Sequence, residues 1–448
     1  MHIAVREHES LPVVQQRAHA AQRAITEHER DQLLALNDTF PRRVVEFHYR
    51  SVRFRQYCGA IQLGALTLEI LPKIAEADGE GGLELDRRVL IGMLSVCRKL
   101  PMLRAGMASL DLQHHHILEV FIAYFCDELF TQMHHGRIRQ YVETADEISA
   151  IRGRWRLDLD ITRSPIQRTR MACEFDDLSA DNPYNHAIKA ALRVIRPLVH
   201  GNAELSRKVE LLLAELADVR NMRQTAADVR QLPRNRLVAR YEDVLRMCEW
   251  FLASQSPDIR AGREDALALL FDMNVLFQEF VTALIKRSLP EGLVARSEAP
   301  RYFLTRLADS GDGKFQMKPD LTISRKVDGG IMAIIDTKWK WLSPTKNQYT
   351  WGVQQSDLYQ MGAYASAYRC GRMALWYPSH AALQGVKPPS LEYIARGRDP
   401  LGTCVDVGLI DLGSGGAQSA WLGKVQDQVR NRLQALLLTP VTVIAPSV

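Results

Sequence analysis

The chain has 448 residues, with a hydrophobic fraction of 46% and a charged fraction of 24%. That is the balance of a globular protein of two or three domains, and it excludes a fibrous or wholly disordered chain. Its 57 Lys and Arg against 52 Asp and Glu leave a net charge of +5, which permits contact with nucleic acid without arguing for it.

The seven cysteines are scattered, with no CxxC pair; this argues against a disulfide framework or zinc ribbon and fits a reducing compartment. No apolar run reaches the ~18–20 residues of a membrane helix. The opening MHIAVREHESLPVV lacks the apolar stretch of a signal peptide. The expectation is a cytoplasmic protein with no membrane partner.

In chain order, residues 1–40 are polar, with a helix predicted through HERDQLLALN. From Val44 to Ile74, β-branched and aromatic residues partly alternate, which predicts short strands with a turn near Gly64. AEADGEGGLELD is acidic and Gly-rich and reads as a loop. Residues 87–145 read as mainly helical, and IRGRWRLDLDITRSP as strand and loop. NPYNHAIKAALRVIRPLV predicts a helix capped by Asn182, with Pro183 at its first position. Residues 203–256 read as helical again, with a break near QLPRNR.

SQSPDIRAGRED, at 254–265, reads as a linker. Beyond it a helix is predicted over 266–288, then a series of strand, hairpin, helix and strand to about 412. The expected boundary lies near 255–262. It divides an α+β N-terminal region, 1–255, from an α/β domain, 256–448, with a mixed central sheet flanked by helices.

The chemistry concentrates in KPDLTISRKVDGGIMAIIDTKWK, residues 318–340. LTIS and IMAIID read as strands, and Asp328-Gly329-Gly330 suits a hairpin turn. In a hairpin centred near Asp328, position 320 lies opposite 336, so Asp320 and Asp336 meet at the open end. Side chains alternate along a strand, so Lys338 shares a face with Asp336 while Thr337 points away. Two carboxylates on adjacent strands suit Mg²⁺, which takes its remaining ligands from water and phosphate. A nearby ammonium stabilises charge in phosphodiester hydrolysis. An Asp-x-Lys pair is also a common surface ion pair; the prolyl-aspartate, the register and the apolar run before Asp336 set this one apart.

Upstream, Glu279 falls on a mostly apolar helical stripe with Val275, Leu276, Thr282 and Ala283. It is either a third metal-site acid or a salt-bridged residue. Downstream, Gln360 and Tyr364 lie one helical turn apart in QQSDLYQMGAYASAY. They hold either a DNA phosphate or the lysine, or they are polar edge residues of a packed helix. His114 to His116 and His134-His135 cannot face one ion as consecutive helical residues. Trp339 and Trp341 are expected to pack beside the sheet.

Helix with Glu, hairpin with PD and DxK, helix with QxxxY: this order resembles the PD-(D/E)xK nuclease superfamily. More narrowly, FDMNVLFQEF, MKPDLTI, IIDTKWK and DLYQMGAYA resemble the McrC family, the nuclease subunit of modified-cytosine restriction systems. The likeness continues in TLEILPKI, IRGRW and CEFDDLSADNPYNHAIKAAL, from about residue 60 to 412. It implies a restriction-endonuclease-like domain. Asp320, Asp336 and Glu279 would be metal ligands for Mg²⁺ and Lys338 the catalytic lysine. Where the family often has an acid beside the helix glutamate, this chain has Gln278.

The resemblance also implies partners: an McrB-like AAA+ GTPase hexamer that recognises modified double-stranded DNA. The 1–255 region would engage the ring and stimulate its GTPase, with Arg152 and Arg154 in IRGRW as candidates for stimulation. This chain has no GxxxxGK[ST], and GDGKF at 311–315 is too short and reads as loop, so no GTP site is expected on it. The rival readings are a stand-alone RecB-like nuclease and a non-catalytic activator of an NTPase ring.

Overall fold

A computed structural model of the chain describes residues 1–19, 22–37, 40, 42–75, 80–97, 116–161, 170–199, 201–236, 238–253, 266–298, 302–307, 309, 312–343, 349–379, 383, 391–392, 404–413 and 418–438. The chain divides into two compact units. One comprises 1–60, 66–117 and 270–448; the other comprises 61–65 and 118–269. The expected linear boundary near 255–262 lies close to one edge of this division, but the first 117 residues largely belong with the C-terminal part. The reason is physical. The Met273 amide donates to the Gln56 carbonyl at 2.9 Å, and the helix Glu80–Cys97 packs against the helix Met273–Ser288. The expected linker at 254–265 lies outside the described residues.

In the first unit, strand His2–Arg6 pairs in parallel with strand Leu66–Leu71. Gly64, at φ +55°, makes the predicted turn. The helix expected in HERDQLLALN spans Glu27–Asn37. Two expectations fail here. The stretch read as an acidic loop is already helical from Glu80. The helix expected over 266–288 is a strand, Ala266–Asp272, followed by a helix, Met273–Ser288. A short apolar run such as ALALLF carries no period of its own. What separates the two elements is Asp272, whose side chain accepts from the Asn274 amide and caps the helix.

The larger sheet of this unit has six strands, in the order Leu293–Ser297, Leu321–Arg325, Ile331–Thr337, Arg372–Ser379, Cys404–Asp411, Leu391–Glu392. The first three are antiparallel neighbours, the next two run parallel to Ile331–Thr337, and the last is antiparallel. Met373, Leu375 and Tyr377 pack with Met361, Tyr364 and Tyr368 of the helix Gln355–Tyr368. By alternation the other face of these strands receives the helices Met273–Ser288 and Gln418–Leu438, joined by a Phe280–Trp421 ring stack. GDGKF at 311–315, expected as loop, runs from Gly313 into a strand, Gly313–Met317, paired with Tyr302–Arg306.

The second unit carries an antiparallel sheet of Gln140–Ile148, Met171–Ser179 and Arg154–Trp155. Its helices include Pro183–Ile195 and Glu242–Ala253, which pack together. Asn182 caps the former as predicted, with Pro183 at its start. Among the described residues no helix is long and apolar enough to cross a membrane.

Candidate active site

The hairpin delivers Asp320 and Asp336. Leu321 pairs with Ile335, the register that sets 320 against 336, and a bulge after Ile323 shifts only the turn end. Ile331–Thr337 is flanked on both sides, so Asp336 at its end is only 1% exposed. Burial first, and the Asp320 charge second, push its carboxyl up to about 6, against the pull of Lys338. Asp320 is also raised, by burial. Its Oδ2 accepts both the amide and the hydroxyl of Thr337, each at 2.8 Å. Thr337 therefore does not simply point away from the site, as alternation suggests; its short side chain reaches back to orient the first aspartate.

Lys338 Nζ lies 2.6 Å from Asp336 Oδ2. At that distance the two form a close, charge-assisted ion pair. The same ammonium donates to Gln360 Oε1 at 3.0 Å. Gln360 donates to the Tyr364 hydroxyl at 2.9 Å, and Tyr364 donates to the Lys318 carbonyl at 3.0 Å. Gln360 thus touches the lysine directly, while Tyr364, packed in the core between helix and sheet, stands behind Gln360. Burial opposes the Lys338 charge, yet Asp336, Asp357 and Asp320 together hold its pKa above the ordinary value. Burial pushes Tyr364 up to about 12, so it stays a neutral donor.

Asp357 is a neighbour of the lysine that motif spacing alone does not single out. It is buried, lies 3.9 Å from Lys338 Nζ and accepts from Lys340 Nζ at 3.1 and 3.2 Å. Its spacing of three from Gln360 and seven from Tyr364 puts all three on one helical stripe, which is the signal the sequence offers for it.

Glu279 is half-buried on its helix, between buried Leu276 and Thr282 and exposed Val275. Among the described residues no group of three or more His, Cys, Asp or Glu forms a ready-made metal site; the Glu279 Oε2 atom is buried. The other acid acting on Asp320 is Glu298, which accepts from Gln278 at 3.3 Å. His114 and His115 lie outside the described residues, while His116 stacks on His2 with centroids 5.2 Å apart.

In the second unit, Arg152 and Arg154 are exposed. Arg152 pairs with Asp177 at 3.1 Å and sits over the Phe175 ring at 4.4 Å. Gly153 between them has φ +68°, and a Cβ there would meet the Glu174 carbonyl oxygen at 2.3 Å; only glycine fits that crossing.

A family model described as "McrBC 5-methylcytosine restriction system component" matches residues 52–378. The chain belongs to this McrBC family. The match spans every site residue named above on the hairpin and its two flanking helices. Among solved structures, a refined half-complex from a tetradecameric assembly of Thermococcus gammatolerans McrB AAA+ hexamers with bound McrC contains a similar chain. The TM-score is 0.73 at 19% identity, covering 97% of this chain and 100% of that one. The cryo-EM structure of the Thermococcus gammatolerans McrBC complex gives a TM-score of 0.51 at 20% identity, over 65% of this chain and 89% of that one. At such identities the likeness is one of fold. No curated protein sequence matches the chain.

Proposed function

We propose that this McrBC-family chain is the DNA-cleaving subunit of a GTP-driven, modified-cytosine-dependent restriction complex. Its C-terminal half carries a PD-(D/E)xK endonuclease site that depends on Mg²⁺, and it works beside an McrB-like AAA+ GTPase hexamer whose GTPase it stimulates. The observation that supports the reading best is the meeting of Asp320, Asp336 and Lys338 at the open end of one hairpin, with Asp336 and Lys338 2.6 Å apart. The family supports the restriction context. The similarly folded Thermococcus gammatolerans McrC is bound to McrB AAA+ hexamers, which supports the partner.

A buried carboxylate, Asp336, beside a half-buried one, Asp320, fits Mg²⁺, which is commonly held by one or two acids plus water and substrate phosphate. When bound, that ion would offset charge on the phosphate and acidify a water. Asp320 and Asp336 would hold it, with Asp320 oriented by Thr337. Lys338, kept cationic by three aspartates, faces the phosphate as negative charge grows there and orients the attacking water. Gln360 fixes the ammonium from the helix side. The water oxygen bonds to phosphorus and the ester oxygen leaves. Arg152 and Arg154, exposed in the 118–269 unit, are the candidates for stimulating the partner in trans.

The test incubates methylated plasmid DNA with the chain, with and without the partner ring, GTP and Mg²⁺. Cleavage is expected only when all are present, and the chain alone should hydrolyse neither GTP nor ATP. Asp336→Ala and Lys338→Ala should abolish cleavage while leaving ring binding intact. Cleavage by the chain alone would favour the stand-alone nuclease. Normal cleavage by Asp336→Ala in the full complex would overturn the site.

A further inference from the structure

Glu7 follows the strand His2–Arg6 and is 1% exposed. Both of its carboxylate oxygens accept the indole N–H of Trp339, at 2.9 and 3.0 Å. Trp339 is the residue after Lys338, and its ring meets Phe277 of the Met273–Ser288 helix with centroids 5.4 Å apart. The strand ladder ends at Thr337. Beyond it, the backbone of 338–340 is tied by the Lys338 amide to the Trp376 carbonyl and by the Lys340 amide to the Lys338 carbonyl, both at 2.9 Å. The segment that carries both lysines therefore leans on its side-chain anchors.

A buried carboxylate is a costly way to fill space. The charged groups facing Glu7 do not neutralise it. The Lys73 amide donates at 3.3 Å and the Lys73 charge favours ionisation, whereas Asp86 opposes ionisation. Cys58, whose own thiol is raised by burial and by both acids, is a further neighbour. Burial is the largest effect and lifts Glu7 to about 7, against the bonds from Trp339 and Lys73.

We propose that Glu7 is a positioning residue of the nuclease site: through Trp339 it holds the 338–340 backbone so that Lys338 stays on Asp336 and Gln360. This rests on the nuclease reading above. Glu7 lies outside the 52–378 span of the family match, and it reaches the site across 332 residues of sequence.

The test uses the full-length chain with its seven tryptophans replaced by 5-fluorotryptophan. The Trp339 fluorine resonance, identified by its loss in Trp339→Phe, should titrate with a midpoint of about 7 in the wild type and stay fixed in Glu7→Gln. In parallel, acylation of Lys338 by an amine-reactive ester is followed by mass spectrometry against Lys189, which is buried on the Leu216 and Val219 carbonyls. Losing a hydrogen bond to a charged acceptor should speed Lys338 acylation roughly tenfold in Glu7→Ala. Glu7→Gln, which still accepts one N–H, should stay near wild type, and DNA cleavage by the complex should follow the same order.

A packing role would lower the melting temperature and leave the Lys338 to Lys189 ratio unchanged; that outcome overturns the proposal. Faster acylation together with a wild-type complex that leaves DNA intact would sustain the positioning role and sink the nuclease reading. If Glu7→Ala does not fold, Trp339→Phe, which keeps an aromatic ring against Phe277 and removes the indole donor, decides on the same acylation readout.

Discussion

Asp336 and Lys338 tie the site to pH. With Asp336 raised from 3.8 to about 6, the folded metal-free chain keeps a proton there that the unfolded chain has released. Its stability therefore falls as pH rises through that window. On the proposed reading, Mg²⁺ would compete with the same proton. The rise in melting temperature on adding Mg²⁺ should thus be larger at about pH 7.5 than at about pH 5. Saturating metal at 100 Kd would contribute about 2.7 kcal/mol. Asp320→Asn should remove most of that increment, and Glu279→Gln, at the third acid that the McrC resemblance implies, should remove part of it. Thermal melts with Mg²⁺ and with chelator measure both, and an increment unchanged in Glu279→Gln would exclude that residue as a ligand. The aspartate pair was legible because a hairpin turn and a period of two fix which residues oppose. Asp357 and Thr337 were legible only in part, since their roles depend on a lysine position that no spacing dictates. Glu7 was not legible at all, because no local period links a residue to a partner 332 positions away.

At the level of elements, end signals were more informative than apolar content. Asn182 was readable as a cap. In the structure its Oδ1 accepts from the Asn185 amide, and its Nδ2 donates to the Ile138 and Ala180 carbonyls at 3.0 and 3.2 Å. It is 1% exposed, so Asn182→Ala strips a buried cap, while the Ile138 and Ala180 carbonyls keep the Asn185 side-chain amide as donor. A loss of about 1–2 kcal/mol is expected, read as a lower urea midpoint at unchanged slope. A loss under about 0.5 kcal/mol would mean that water or a neighbour replaces the amide. By contrast, ALALLF reads as the start of a helix and folds as a strand. Its strand pairing is set by the neighbouring sheet, which no window of local sequence contains. The acidic stretch before Cys97 misleads for a related reason: glycines at 81 and 82 lower helix propensity, yet burial of Leu90, Ile91 and Leu94 outweighs that cost.

For the whole molecule, the division into units changes what a truncation can show. A fragment of 256–448 matches the domain expected from sequence, but it lacks strands His2–Arg6 and Leu66–Leu71 and the helix Glu80–Cys97, all in the unit that holds the site. Expressed alone, it should show helical circular dichroism without a sharp near-ultraviolet signal or a cooperative melt. A cooperative melt would restore the boundary near 255.

The bond between Glu7 and Trp339 also sets an order of events during synthesis. The 118–269 unit is almost continuous in the chain, so it can close while the ribosome is still translating the C-terminal stretch. The unit with the hairpin cannot. At about 5–20 residues per second, Glu7 waits roughly 20–70 s for Trp339 to emerge. Throughout that interval the first strands, including Val5 and Leu68, which end up fully buried, have no finished core to enter. Ribosome-bound intermediates of this chain should therefore recruit chaperones through their oldest residues rather than their newest. A site that depends on the bond between Glu7 and Trp339 also stays incomplete until Trp339 has emerged.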